Sequence, residues 1–320
     1  MPFRTKPKRR RSSPAKQNKL ERSIEAMKRI LSFPLVRLAL IVAVWAVSLV
    51  IVLFTVHKPS PHDSIGWTIA LNWLTAVLLL ASYIGLERFV AGQSFTAIGF
   101  NPRRAVPDLT IGVTLGAILF SAVVLELVIA GSYTVQLIYF RADLALAAVL
   151  LIGAALTEEL LFRGLVFRLV QESAGTWIAL GVSAVIFGAM HAASPGASLL
   201  STLAIALEAG VLLAAAYIVT KNLWLPIGLH FAWNFFEGPI YGTQVSGHSF
   251  VVGAIHARVS GPAWLTGGAF GPEAGLPAVL TCLVAAIILL AYAKRSNLIR
   301  PPSWAAHSRL VETPHDERHA

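Results

Sequence analysis

Charge is the scarcest resource in this sequence. Asp, Glu, Lys and Arg make up 13% of its 320 residues, apolar types supply 56%, and the mean hydropathy is +0.69. Soluble domains carry about a quarter charged residues, so a soluble fold is excluded and an integral membrane protein is implied. Cysteine is scarcer still. Cys282 stands alone, so the chain has no internal disulfide and no multi-cysteine metal site, and the residue reads as packing. Alternation of apolar and polar residues at the strand period is missing, which argues against a β-barrel. No internal repeat is visible.

What is present is a series of long apolar runs. A hydrocarbon core about 30 Å thick needs about 20 such residues in a helix, and eight segments approach that length: 38–56, 65–86, 109–130, 144–170, 176–193, 199–220, 223–236 and 274–293. The expected fold is all-α, a polytopic membrane bundle of about eight helices. A basic tail (1–33) precedes a membrane domain (34–294), and a short tail (295–320) follows it. The 144–170 run is long enough to project into water or to break near Gly153 or Gly164.

Residues 1–33 hold eleven Lys/Arg against Glu21 and Glu25, a net of +9 in a chain of net +10. The positive-inside rule puts this tail in the cytoplasm, and eight spans return the C-terminus to the same side. Arg88, Arg103, Arg104, Arg168 and Lys221 fall on the predicted inner loops. The predicted outer segments, 57–64, 131–143, 192–198 and 237–273, hold few cations. Leu20, Ile24, Met27 and Leu31 recur at helical spacing, with Arg22, Lys28 and Arg29 elsewhere on the wheel. That pattern points to anionic lipid headgroups rather than nucleic acid as the tail's partner; the plainer alternative is a solvated topology signal. The first apolar run is long for a cleaved leader and is expected to stay as an anchor in a bacterial inner membrane.

Ionisable groups inside apolar runs cost about 2.5 to 3.5 kcal/mol each on insertion scales, so Glu126, Glu158, Glu159, Arg163, His191, Glu208 and His230 each call for a role. In Glu158-Glu159-x3-Arg163, residues 159 and 163 share a helix face, while Glu158 is turned about 100° away. Arg163 is then the partner of Glu159, and Glu158 is left as a base that could act on water; a membrane-edge ion pair is the plainer alternative. Phe187 and His191 are four apart, so the ring can support the imidazole. His230 and Asn234 are also four apart and form a pair of donors suited to an oxyanion or to a neighbouring helix. Two carboxylates, two imidazoles, a carboxamide and an arginine from three runs form a candidate site. G-x-S-x-G, H-E-x-x-H and G-x-G-D are all missing, which leaves water activated by Glu158.

In order and spacing, these three motifs resemble those of the CAAX protease and bacteriocin-processing (CPBP) family of intramembrane endopeptidases, which includes type II prenyl-protein endopeptidases. The flanks Ile98-Gly99-Phe100, Pro102 and Asn222-Leu223-Trp224-Leu225-Pro226-Ile227 are similar as well, so the resemblance spans about 95–236. It implies a helical membrane protease with a cavity reached from the cytoplasmic side and a membrane-associated protein or peptide as substrate. In this family pattern Glu158 and His191 activate water, His230 and Asn234 stabilise the oxyanion, and Glu159 and Arg163 support them. Zinc bound through His191 and His230 stays open, although the glutamate-water route needs no cofactor. Two other functions compete: a bacteriocin-immunity or surface-display protein of the same fold, and a proton-coupled transporter using Glu126, Glu158 and Glu208. The transporter would call for inverted repeats.

Overall fold

The computed structural model describes residues 22–23, 25–27, 30–31, 33–55, 65–139, 144–249 and 253–305. Leu20, Ile24, Lys28 and Arg29 of the predicted amphipathic stretch lie outside them. Met27 and Ile30 are helical and more than half exposed.

In hydrocarbon each backbone N–H and C=O must find a partner within its own segment, so apolar runs of this length become helices. They are α1 (Pro34–Thr55), α2 (Ile65–Gly85), α3 (Ala105–Ile129), α4 (Leu144–Glu159), α5 (Arg168–Ala174), α6 (Thr176–Met190), α7 (Leu199–Ile205), α8 (Val211–Thr220), α9 (Trp224–Phe235), the short α10 (Ala263–Thr266) and α11 (Leu276–Arg295). Wide, π-type turns continue α2 over Leu86–Val90, join α4 to α5 over Leu160–Phe167, join α7 to α8 over Ala206–Gly210 and extend α9 over Phe236–Ile240. The 144–174 segment therefore runs through Gly153 and Gly164 without breaking. It stops at Gly175, whose φ of 81° ends the helix.

Six helices among the described residues are long and apolar enough to cross a membrane: Gly66–Phe89, Pro102–Ile129, Leu144–Ala174, Thr176–Ala193, Leu199–Thr220 and Leu276–Arg295. The fold is an all-α polytopic bundle, but the expected eight spans are not reached by this measure. The predicted 223–236 span is the 12-residue α9 with its wide-turn extension. Only part of α1's side chains are described. Leu199–Thr220 is the central helix, since 67% of its apolar window is buried, against 17–39% in the other five. The rest turn large apolar side chains outward, such as Ile118, Val185 and Ile287, as lipid-facing helices do.

Glycine sets the closest packing. Added Cβ atoms at Gly112 and Gly116 of α3 would stand 2.3 and 2.4 Å from the carbonyl oxygens of Leu225 and Leu229 on α9. One at Gly228 would stand 2.7 Å from that of Leu109. The two backbones touch, as small-residue helix crossings in membranes allow. The family-like flanks set up this crossing. Leu223 N–H donates to Gly99 O (2.9 Å), Asn101 N–H to Asn222 Oδ1 (3.1 Å) and Trp224 Nε1–H to Asn101 O (3.0 Å), so α3 and α9 start side by side and run parallel.

At this same end, four charges from three segments close into a ring. Arg37 pairs with Glu87 (2.7 Å) and with Glu172, and Arg168 pairs with Glu87 (2.9 Å) and Glu172 (2.7 Å). Tyr83 receives a hydrogen bond from Arg168 Nε (3.1 Å) and donates to Ile98 O (2.8 Å). Arg168, counted among the inner-side cations, is buried at the end of the predicted 144–170 run, in a helix that continues to Ala174.

The opposite end carries a small amount of sheet. β1 (Tyr133–Ile138) pairs antiparallel with β4 (Ile255–Val259), and β2 (Gln244–Val245) with β3 (His248–Ser249). The predicted outer segment 237–273 is thus folded over this end of the bundle rather than being an irregular loop.

Candidate active site

The α4–π–α5 segment supplies Glu158, Glu159 and Arg163, the end of α6 supplies His191, and α9 supplies His230 and Asn234. Glu159 and Arg163 are fully buried and paired at 2.8 Å. The guanidinium also donates to the carbonyls of Ala209 (3.0 Å) and Gly210 (3.3 Å). Wide turns leave carbonyls without their usual amide partners, and both acceptors lie in the 206–210 turn. Arg163 thereby ties α4 to the central helix, with its Cζ 4.5 Å above the Phe187 ring.

His230 is the hub. Its Nδ1 lies 2.9 Å from the same Glu159 oxygen that pairs with Arg163, which fixes the proton on Nδ1 and turns Nε2 away. Glu158 Oε2 is 3.8 Å from Nε2, too far for a hydrogen bond. That oxygen is buried and has no partner among the described residues. Because Glu158 is 33% exposed where Glu159 is closed off, the two neighbouring carboxylates have separate environments.

His191 stands in a tight turn that caps α6, not within the regular helix. Its Nδ1 is 2.8 Å from Phe187 O. A carbonyl only accepts, so Nδ1 donates and the neutral ring keeps Nε2 as an acceptor. The Phe187 ring supports it at 4.8 Å and also packs 4.8 Å from Phe162 and 6.1 Å from His230.

His191, His230 and Asn234 line one small cavity of about 20 Å³, together with Phe187, Glu208, Trp233, Ser246 and Glu273. That is room for a water or two, not for a peptide. Glu158 is not part of this lining; it borders the site through His230, 3.8 Å from Nε2. Glu208, Ser246 and Glu273 were not placed in the site by the sequence. Glu208 carried the signal of an acid in an apolar run, whereas Ser246 and Glu273 sit in a segment with no periodicity to read. Glu126 is elsewhere: it is exposed in the last turn of α3 and accepts a hydrogen bond from Thr281 Oγ1 at 3.0 Å.

A zinc on His191 and His230 would have two imidazole ligands, fewer than the three or four that protein zinc sites use. Among the described residues no three His, Cys, Asp or Glu come together to hold a metal ion. The donor set does not fit such a site, and no chemical step is routed through one.

Fold and site together define a polytopic membrane protein with a buried carboxylate–imidazole centre. Residues 140–236 match the family model described as type II CAAX prenyl endopeptidase Rce1-like. The matched segment, under a third of the chain, is similar to that family, in keeping with the CPBP resemblance of its motifs, and at family level the similarity suggests a CAAX-protease-type intramembrane peptidase. The match contains all six motif residues and ends before Glu237, Ser246 and Glu273. No curated protein and no solved structure matches the chain.

Proposed function

We propose that the protein is an intramembrane endopeptidase that hydrolyses peptide bonds of membrane-associated proteins or peptides with water activated by Glu158. The supporting observation is the placement of His230 between the two carboxylates, one bonded at Nδ1 and the other 3.8 Å from Nε2. This gap leaves Glu158 free to take a proton from a water rather than being spent on an ion pair. Glu158 removes that proton while the water oxygen attacks the peptide carbonyl, and His191 Nε2 is a second acceptor for the water. The carbonyl oxygen, now an oxyanion, accepts hydrogen bonds from Asn234 and from Nε2 of His230 when that nitrogen is protonated. Asn234 makes no hydrogen bond of its own among the described residues, so its amide is available. Glu158 then passes its proton to the leaving amine, giving a carboxylic acid and an amine. Glu159 holds His230 in register and Arg163 holds Glu159; neither touches the substrate.

The reading is tested by incubating purified protein with a library of membrane-tethered peptides. Wild type should release defined fragments and Glu158→Gln should release none; equal cleavage by both would end the proposal. The site is placed in the bacterial inner membrane with both termini cytoplasmic. The tail is placed on anionic headgroups. A thiol at exposed His248 (His248→Cys) should react with impermeant reagent from outside sealed cells, and labelling from the cytoplasmic side alone would reverse the map.

A further inference from the structure

One wall of the cavity has no part in this chemistry. Glu208, from the wide turn in the central helix, and Glu273, from the folded outer segment, both line the cavity and are 1% and 3% exposed. Glu237 lies behind them, 0% exposed, with Oε1 accepting from the backbone N–H of Glu273 (3.2 Å). One Glu273 oxygen accepts from Ser246 N–H (2.8 Å) and Ser246 Oγ–H (2.7 Å). Glu208 Oε1 and Glu237 Oε2 have no hydrogen-bond partner among the described residues.

The cation nearest this wall does not serve it. Arg163 is committed to Glu159 and to the Ala209 and Gly210 carbonyls, and among the described residues no salt bridge reaches Glu208, Glu237 or Glu273. Like-charged groups shut in an apolar setting without a counter-charge are costly to keep ionised, and they hold an arriving cation strongly. Among the described residues no three of these acids are grouped as metal ligands, and an organic cation is the ligand argued for. Among organic cations a compact ammonium asks least of the walls: a cavity of about 20 Å³ must open for any side chain that enters, and a planar guanidinium is wider.

We propose that Glu208 and Glu273 form a subsite for a substrate ammonium group bound beside the scissile peptide bond. This rests on the peptidase reading and adds a specificity to it: the preferred substrate places a lysine side chain or a free amino terminus next to the bond that is cut. His230 and Asn234 line the same cavity, so the amine and the reacting carbonyl become neighbours when the walls yield to the substrate.

The test uses one cleavable membrane-tethered peptide in four forms. Lysine, norleucine or Nε-acetyl-lysine stands beside the cut site, and the fourth form exposes a free amino terminus there. Both kcat/KM with wild type and Kd with Glu158→Gln are measured. A hydrogen bond to a charged group contributes about 1.5 to 3 kcal/mol, so the lysine or free-amine form should be favoured about 10- to 100-fold over norleucine and acetyl-lysine. Whichever of the two wins identifies the source of the ammonium. The preference should appear in KM and Kd rather than in kcat and should collapse in Glu208→Gln. Cleavage with no preference among the forms, or a preference that survives Glu208→Gln in folded protein, overturns the subsite. The acetyl-lysine comparison needs no variant, so misfolding of Glu208→Gln does not rescue the idea. If no form is cleaved while Glu158→Gln still binds the amine forms selectively, the peptidase reading fails and the subsite stands.

Discussion

The two charged regions of this bundle handle the same problem in opposite ways. In the ring at the end where α1 begins, each of Arg37, Glu87, Arg168 and Glu172 faces opposite charges on two sides, and net charge is zero. Around the cavity, Glu158, Glu208 and Glu237 keep buried oxygens with no partner. A charge-balanced ring ties α1, α2 and α5 together, with each carboxylate already held by two guanidiniums. Unsatisfied carboxylates weaken the fold, and their remaining capacity is available for chemistry.

If that contrast is right, substitutions in the two regions should separate cleanly. The largest effect belongs to Glu158→Gln. General-base contributions are typically 10²- to 10⁴-fold, so turnover of a tethered peptide should fall by about 10³-fold with the detergent unfolding temperature unchanged. Next comes Glu87→Gln, which leaves Arg37 and Arg168 sharing Glu172 alone. Breaking a buried pair costs about 3 to 5 kcal/mol, to be read as lost stability in detergent with residual turnover per folded molecule intact. Glu159→Gln bridges the two regions: it should lose comparable stability and also turnover, because its carboxylate holds His230. Adding Arg163→Met should recover part of the stability and none of the turnover. Recovery of both would show that the His230 contact is idle. Glu208→Gln should move stability by no more than about 1 kcal/mol, and a loss as large as that of Glu87→Gln would erase the contrast. The smallest effect expected is that of a chelator, since two imidazoles make an incomplete zinc site; activity lost on chelation and restored by zinc would reverse the assignment.

What could be read in the sequence was whatever one helix decides. Glu159 meets Arg163, and Phe187 meets His191, because residues four apart share a face. Contacts between helices carry no such signature. Nothing in the spacing shows that His230 would lie against Glu159, 71 residues earlier, or that Arg37 would reach Glu172, 135 residues later. The expected count of eight spans is not confirmed among the described residues, in part for a related reason. Hydropathy continues smoothly through Phe236, but the helical geometry changes to a wide turn there, with Pro239 inside it. The burial of Arg168 was not legible because a cation at the end of an apolar run looks like a topology signal until its partners, Glu87 and Glu172, are known. Glu273 was not legible at all: it is one acid in a segment whose fold depends on the bundle beneath it.

The backbone contact between α3 and α9 constrains how anything enters. With Gly112, Gly116 and Gly228 meshed against opposing carbonyls, turning either helix about its axis would bring a Cβ into space where only hydrogen fits. Such a pair behaves as a keyed shaft, rotating and translating as one body or not at all. His230 and Asn234 ride on that shaft. A peptide too large for the present cavity must therefore be admitted by yielding of the other walls, the α6–α7 side or the folded segment that follows α9, while His230 and Asn234 stay in place as a fixed datum against which the substrate is aligned.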